Sequence, residues 1–218
     1  MPDVEAENGA SSTTGGGAFE PDPELAKALD SQPARLAKLA AAHALVLLAA
    51  LSLFAAADSW SVVTGLGMAT LLGIATGALA GVVVANLVHE WFHYFGARYV
   101  GAAFEIPARL GLFLYDWDFA ANSRRQFLTM SVAGSIGGFL AIILIWNAVP
   151  TDNWGRAALL SGVIASVVFA ALIEWPIIRR VREGADPFTE LAKVPAGLKR
   201  NFTIALLSGI LMTVVFAP

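Results

Sequence analysis

Apolar residues in this chain gather into long runs separated by short polar stretches. Runs at 36–57, 127–149, 157–178 and 202–217 approach the roughly 20 residues that a helix needs to cross the hydrocarbon core of a bilayer. A longer run, 62–95, has two readings. It is either one tilted helix rising about 50 Å, or two spans joined by a tight turn near Gly77 to Gly81. The cations separate these readings. With a single span, Lys27, Arg35 and Lys38 fall on the same side as Arg98, Arg109, Arg124 and Arg125, and as Arg179, Arg180, Arg182, Lys193, Lys199 and Arg200. Only Arg156 lies opposite. Splitting the run scatters these charges over both faces, against the tendency of cytoplasmic loops to hold the cations. The pattern therefore predicts an all-α integral membrane protein of about five transmembrane helices. Its N-terminus is expected to be cytoplasmic and its location a bacterial inner membrane. The small residues between Gly65 and Gly81 read as a surface for close helix packing.

Between the second and third runs, GAAFEIPARLGLFLYDWDFA carries short aromatic and β-branched stretches broken by Pro107 and Gly111. That texture suits a short β-like hairpin or re-entrant piece at the cytoplasmic surface. The opening MPDVEAENGASSTTGGGAFEPDP is acidic and rich in Gly, Ser and Thr, with no apolar run behind a basic start. It reads as a disordered tail over 1–21 and not as a signal peptide. Asp22-Pro23-Glu24 reads as the start of a short surface helix. Residues 22–218 then form a single polytopic domain.

Composition supports this reading: 57% of the 218 residues are hydrophobic and only 14% charged, against roughly a quarter charged in soluble domains. Cysteine is absent, which excludes disulfides, thiolate metal sites and cysteine nucleophiles. A net charge of -3 with scattered basic residues gives no footprint for nucleic acid. The expected partners are the bilayer and a membrane-protein substrate or partner helix; the oligomeric state is left open.

The chemistry concentrates in Asn86 to Arg98, NLVHEWFHYFGAR. His89 and His93, four residues apart on a helix, face one way and can present two imidazoles to one ion, with Glu90 beside them. Zinc accepts neutral imidazole, and Glu90 is then placed to take a proton from water. The three histidines of the chain are His43, His89 and His93. Ionisable groups at membrane depth are expensive and usually functional. His93 lies five residues before Arg98, Glu174 five before Arg179, and His43 five after Lys38, each about 7.5 Å of helix rise inside the cationic boundary. These residues share one layer, so Glu174 and His43 are both candidates for a third ligand. Against this stand plainer readings: His43 bonded to a backbone carbonyl, Glu174 paired with Arg179, and HEWFH as a polar helix end.

HEWFHYFGARYVGA resembles the HExxH helix of the site-2 protease family of intramembrane zinc metalloproteases. RRQFLTMSVAGSIGGF, Arg124 to Phe139, resembles the AGPxxN segment that opens that family's next core helix. Ile173-Glu174-Trp175 stands where the family carries an LDG motif. The resemblance covers roughly residues 80–180. It implies a three-helix core, Zn²⁺ held by His89, His93 and Glu174, Glu90 as the catalytic base, and Ser135 to Gly138 near substrate or oxyanion. It also places His43 outside the core, as a group supporting the ligands or gating substrate. Ser135 replaces the family's proline, Gly138 its asparagine, Trp175 its glycine and Glu174 its aspartate. Asp116, Asp118 and Asp186 remain further candidates for the third ligand.

The leading expectation is a zinc endopeptidase that cuts a transmembrane or juxtamembrane segment. The alternative is a non-proteolytic scaffold or adaptor with the same metal site, which the changes at Gly138 and Trp175 favour. A haem protein using His43 and a second histidine is a third class, and it leaves Glu90 and Glu174 unexplained.

Overall fold

The computed structural model describes residues 31–108 and 114–218, together with residue 27. The expected tail and the helix start at Asp22 lie outside the described residues. The elements run α1 (Gln32–Thr64), α2 (Gly67–Tyr99), β1 (Phe104–Glu105), β2 (Asp116–Trp117), α3 (Arg124–Ala148), α4 (Trp154–Arg182), α5 (Pro187–Leu191) and α6 (Val194–Phe216). Five of these helices, α1, α2, α3, α4 and α6, are long and apolar enough to cross a membrane.

The ambiguous run resolves as one helix. α2 continues through Gly77 and Gly81 without a break, and its 33 residues rise about 50 Å. Its start differs from expectation, because Val62 to Thr64 belong to α1. The turn falls at Gly65, whose φ of 64° is left-handed and whose N–H donates to the Ser61 carbonyl. Only glycine takes that conformation without a Cβ penalty, so it ends α1 there.

Close backbone approach explains the glycines within α2. A Cβ on Gly81 would clash with the Leu159 carbonyl, one on Gly77 with the Gly155 carbonyl, and one on Gly162 with Ala78. In lipid there is no hydrophobic drive between helices, so contact of this kind supplies the association. Gly81→Val should therefore separate α2 from α4. We expect a loss of about 1–3 kcal/mol or more, read as a lower melting temperature in detergent; an unchanged melt would show that the helices do not meet at Gly81.

α4 contains Pro176 yet remains helical to Arg182. Proline has no N–H, so the carbonyl four residues earlier loses its helical partner. That carbonyl belongs to Leu172, and the Asn201 side-chain amide, buried on α6, donates to it at 3.4 Å. At the other end of the bundle Asp58 is buried and accepts from Arg156 Nε at 2.9 Å and Asn153 Nδ2 at 2.8 Å. The one cation expected opposite the others is thus neutralised where it stands.

The expected hairpin is present, with Phe104 opposite Trp117 and Glu105 opposite Asp116 in an antiparallel pair. Arg35 donates to Glu105 and to the Ile106 carbonyl, tying the hairpin to α1. A capping box of Ser123 and Gln126 starts α3, and the Gln126 amide reaches back to the Val100 and Gly101 carbonyls. These bonds hold the hairpin over the end of α2 that carries the histidines.

Candidate metal centre

His89 and His93 lie near the C-terminal end of α2, both buried, on the face turned to α3 and α4. Their Nδ1 atoms face the backbone oxygens of Gly134 at 2.8 Å and Met130 at 2.9 Å, both on α3. A carbonyl only accepts, so each Nδ1 carries the proton and donates. In the neutral ring the opposite nitrogen, Nε2, is then a lone pair.

Those lone pairs converge. The two Nε2 atoms are 3.0 Å apart, and Glu174 Oε1 lies 2.8 Å from His89 Nε2 and 3.0 Å from His93 Nε2. Three acceptors aimed at one point repel unless a cation joins them. A single imidazolium proton relieves one of the three contacts, whereas a metal ion satisfies all of them. His89, His93 and Glu174 are the His, Asp and Glu residues among those described whose ligand atoms come together this closely, and the group can hold a metal ion. The residues fit the donor set that the sequence suggested.

Glycine makes room for it. A Cβ on Gly134 would overlap the His93 ring, and one on Gly137 would overlap Phe92 at 2.6 Å. Glu90 lines a cavity of about 220 Å³ beside the group, with His93 and Glu174 at its polar side. Its remaining wall is mostly apolar and includes Tyr115, Trp117 and Phe119 from the hairpin side and Phe127 from α3. The rings of Tyr94, Phe104, Tyr115 and Trp117 pack in succession at centroid distances of 5.6, 5.1 and 6.3 Å, which seats the hairpin there. Burial first, and then the charges of Glu90 and Glu174, push the Tyr115 hydroxyl above its ordinary pKa, so it stays protonated and able to donate.

The other candidates are placed elsewhere. His43 is buried on α1 with its ring edge-on to Trp91 at 6.3 Å and its Nδ1 without a hydrogen-bond partner among the described residues. It does not join the two other histidines. Asp118 accepts the Ala120 and Ala121 N–H groups, Asp186 caps α5, and Asp116 is exposed on β2. Arg179 pairs with Glu183 at 3.1 Å and not with Glu174. Ser135 and Gly138 do lie beside His89, but the Ser135 hydroxyl receives the Trp175 indole N–H at 3.3 Å. The α3 carbonyls that fix both imidazoles, and Tyr115, were missed by sequence reasoning. Gly134 and Gly137, where a Cβ would overlap His93 and Phe92, were a sign in the residue types that α3 comes close to α2. Set against family models, curated proteins and solved structures, the chain matches none of them.

Proposed function

We propose that this protein is a membrane-embedded zinc metalloprotease of the site-2 protease type, cutting a transmembrane or juxtamembrane peptide segment. The observation that carries the reading is the convergence of His89, His93 and Glu174 at one point, with Glu90 on the same turn of α2 and lining the adjoining cavity. Two imidazoles and a carboxylate form a catalytic zinc set that leaves a position open for water. Ferrous oxygenases share that set; the neighbouring Glu90, a proton carrier with no ligand role in the group, favours hydrolysis. When bound, zinc supplies a Lewis acid that polarises the scissile carbonyl and acidifies water.

The chain's own residues supply the rest. Gly134 and Met130 hold each imidazole in the tautomer that leaves Nε2 free. Glu90 accepts a proton from the attacking water and returns it to the departing amine. Tyr115, kept neutral, offers a donor at the cavity wall. The two-stranded sheet offers a strand edge to which an unwound substrate can pair. The cationic end of the bundle, which carries the site, faces the cytoplasm in this reading.

A second reading, the non-proteolytic adaptor, has its own support. Gly138 brings no polar side chain beside His89, and the Ser135 hydroxyl is engaged by Trp175. Cleavage decides between them. The zinc-loaded protein, reconstituted in liposomes with a panel of single-span proteins, should generate new termini within the cytoplasmic half of a span. A zinc chelator should abolish the products and added zinc restore them. Zinc at one per chain with no cleavage of any panel member is the adaptor's result.

A further inference from the structure

A second cavity lies apart from the cavity beside Glu90. α4 forms the floor of a groove of about 960 Å³, with Phe139 and Ile142 of α3 on one side and Arg200 of α6 on the other. The floor is apolar from Ile164 to Pro176, and Arg179 and Arg180 follow at once. We propose that this groove is a binding site for one anionic phospholipid of the surrounding bilayer, its acyl chains along the α4 floor and its phosphate between Arg179, Arg180 and Arg200.

Length and charge select that occupant. Ile164 to Pro176 rise about 18 Å, close to the roughly 15 Å of one leaflet's hydrocarbon. At the far end of the bundle α3 and α6 meet through Trp146 and Phe216, with ring centroids 5.4 Å apart. A transmembrane partner helix needs both leaflets, about 30 Å, and the apolar floor is too short for it. A second copy of the chain would set its own arginines against these, which like charge opposes.

The lining holds three arginines and a single carboxylate, Glu183. Arg179 is paired with Glu183, and Arg180 with Glu190. Arg200 Nη2 donates to the neutral Asn201 amide oxygen at 3.5 Å. The excess is cationic, so a headgroup bearing its own cation gains nothing here, whereas an anionic one does. Basic pockets between membrane helices bind acidic headgroups for this reason. None of His89, Glu90, His93 and Glu174 lines this groove.

The test uses the full-length protein, delipidated in mild detergent and titrated with dioleoylphosphatidylglycerol or dioleoylphosphatidylcholine, with bound lipid counted by native mass spectrometry. One phosphatidylglycerol per chain should be retained, at least tenfold more tightly than phosphatidylcholine. Each lost cation should weaken binding about fivefold, so Arg179→Gln with Arg200→Gln should weaken it about 25-fold. Lys199→Gln, outside the groove, should leave it unchanged. Val168→Phe fills the apolar floor and should weaken retention with every arginine in place. The single Arg200→Gln variant, expected at about fivefold, keeps the charge prediction testable if the double variant fails to fold. Equal retention of the two lipids, indifference to Arg200→Gln, or displacement of phosphatidylglycerol by inorganic phosphate alone would each overturn the proposal.

Discussion

On the proposed zinc-protease reading, replacing Glu90 by glutamine is expected to leave zinc bound and to lower peptide cleavage by about 10²–10⁴-fold. Glu90 shares a helical turn with both imidazoles but points its chemistry into the cavity, and it is not a member of the group formed by His89, His93 and Glu174. Glutamine keeps the size and polarity of the side chain and removes its capacity to take a proton. Zinc stoichiometry and single-turnover cleavage, measured on the same preparation, separate these roles. Zinc lost together with activity would make Glu90 a ligand, and undiminished cleavage would remove it from the mechanism.

Gly134→Ala is the second large effect, although Gly134 has no side chain with which to hold an ion. The added methyl overlaps the His93 ring at Cε1, Nε2 and Nδ1, where the buried imidazole is already held by the Met130 carbonyl. His93 must turn away, and its Nε2 leaves the point where the three ligand atoms meet. We expect zinc affinity to fall by about 10–100-fold, as for other disruptions behind a metal ligand. Gly138→Ala is the matched control. Its Cβ would approach a Val167 methyl at 3.3 Å and His89 Nδ1 at 3.7 Å, so a small shift of valine accommodates it. Competition titration with a zinc chelator distinguishes the two variants. Equal affinities would mean that His93 does not lie against α3.

Much of the fold was legible because lipid restricts it so strongly. Every backbone polar group within the bilayer must be satisfied internally, which leaves helices as the answer for long apolar runs. The cations flanking 62–95 mark it as undivided at Gly77 to Gly81, where the glycines serve packing against α4. The actual break was harder to see, since Gly65 lies within an apolar stretch and works through its own φ. The polar bonds between helices were not legible at all. Asp58 with Arg156, and Asn201 with the carbonyl that Pro176 leaves unpaired, join residues that hydropathy treats one helix at a time.

The grouping of His89, His93 and Glu174 was legible for a different reason. Helical rise gives depth, and depth put Glu174 in the same layer as His93. Depth alone could not separate Glu174 from His43, which lies in that layer on α1. Azimuth made the difference, since His43 meets Trp91 while the two other histidines turn toward α3 and α4. No periodicity reports which helices are neighbours. The α3 carbonyls were invisible because a backbone oxygen leaves no mark on the residue type.

The most direct test of the central claim is metal analysis of the purified protein beside three variants: His89→Ala with His93→Ala, Glu174→Gln, and His43→Gln. We expect about one zinc per chain in the parent and in His43→Gln, almost none in the double histidine variant, and a large loss in Glu174→Gln, since the proposed site would hold its ion with three protein ligands. Full zinc in the double histidine variant, or a site emptied by His43→Gln and retained by Glu174→Gln, would contradict it.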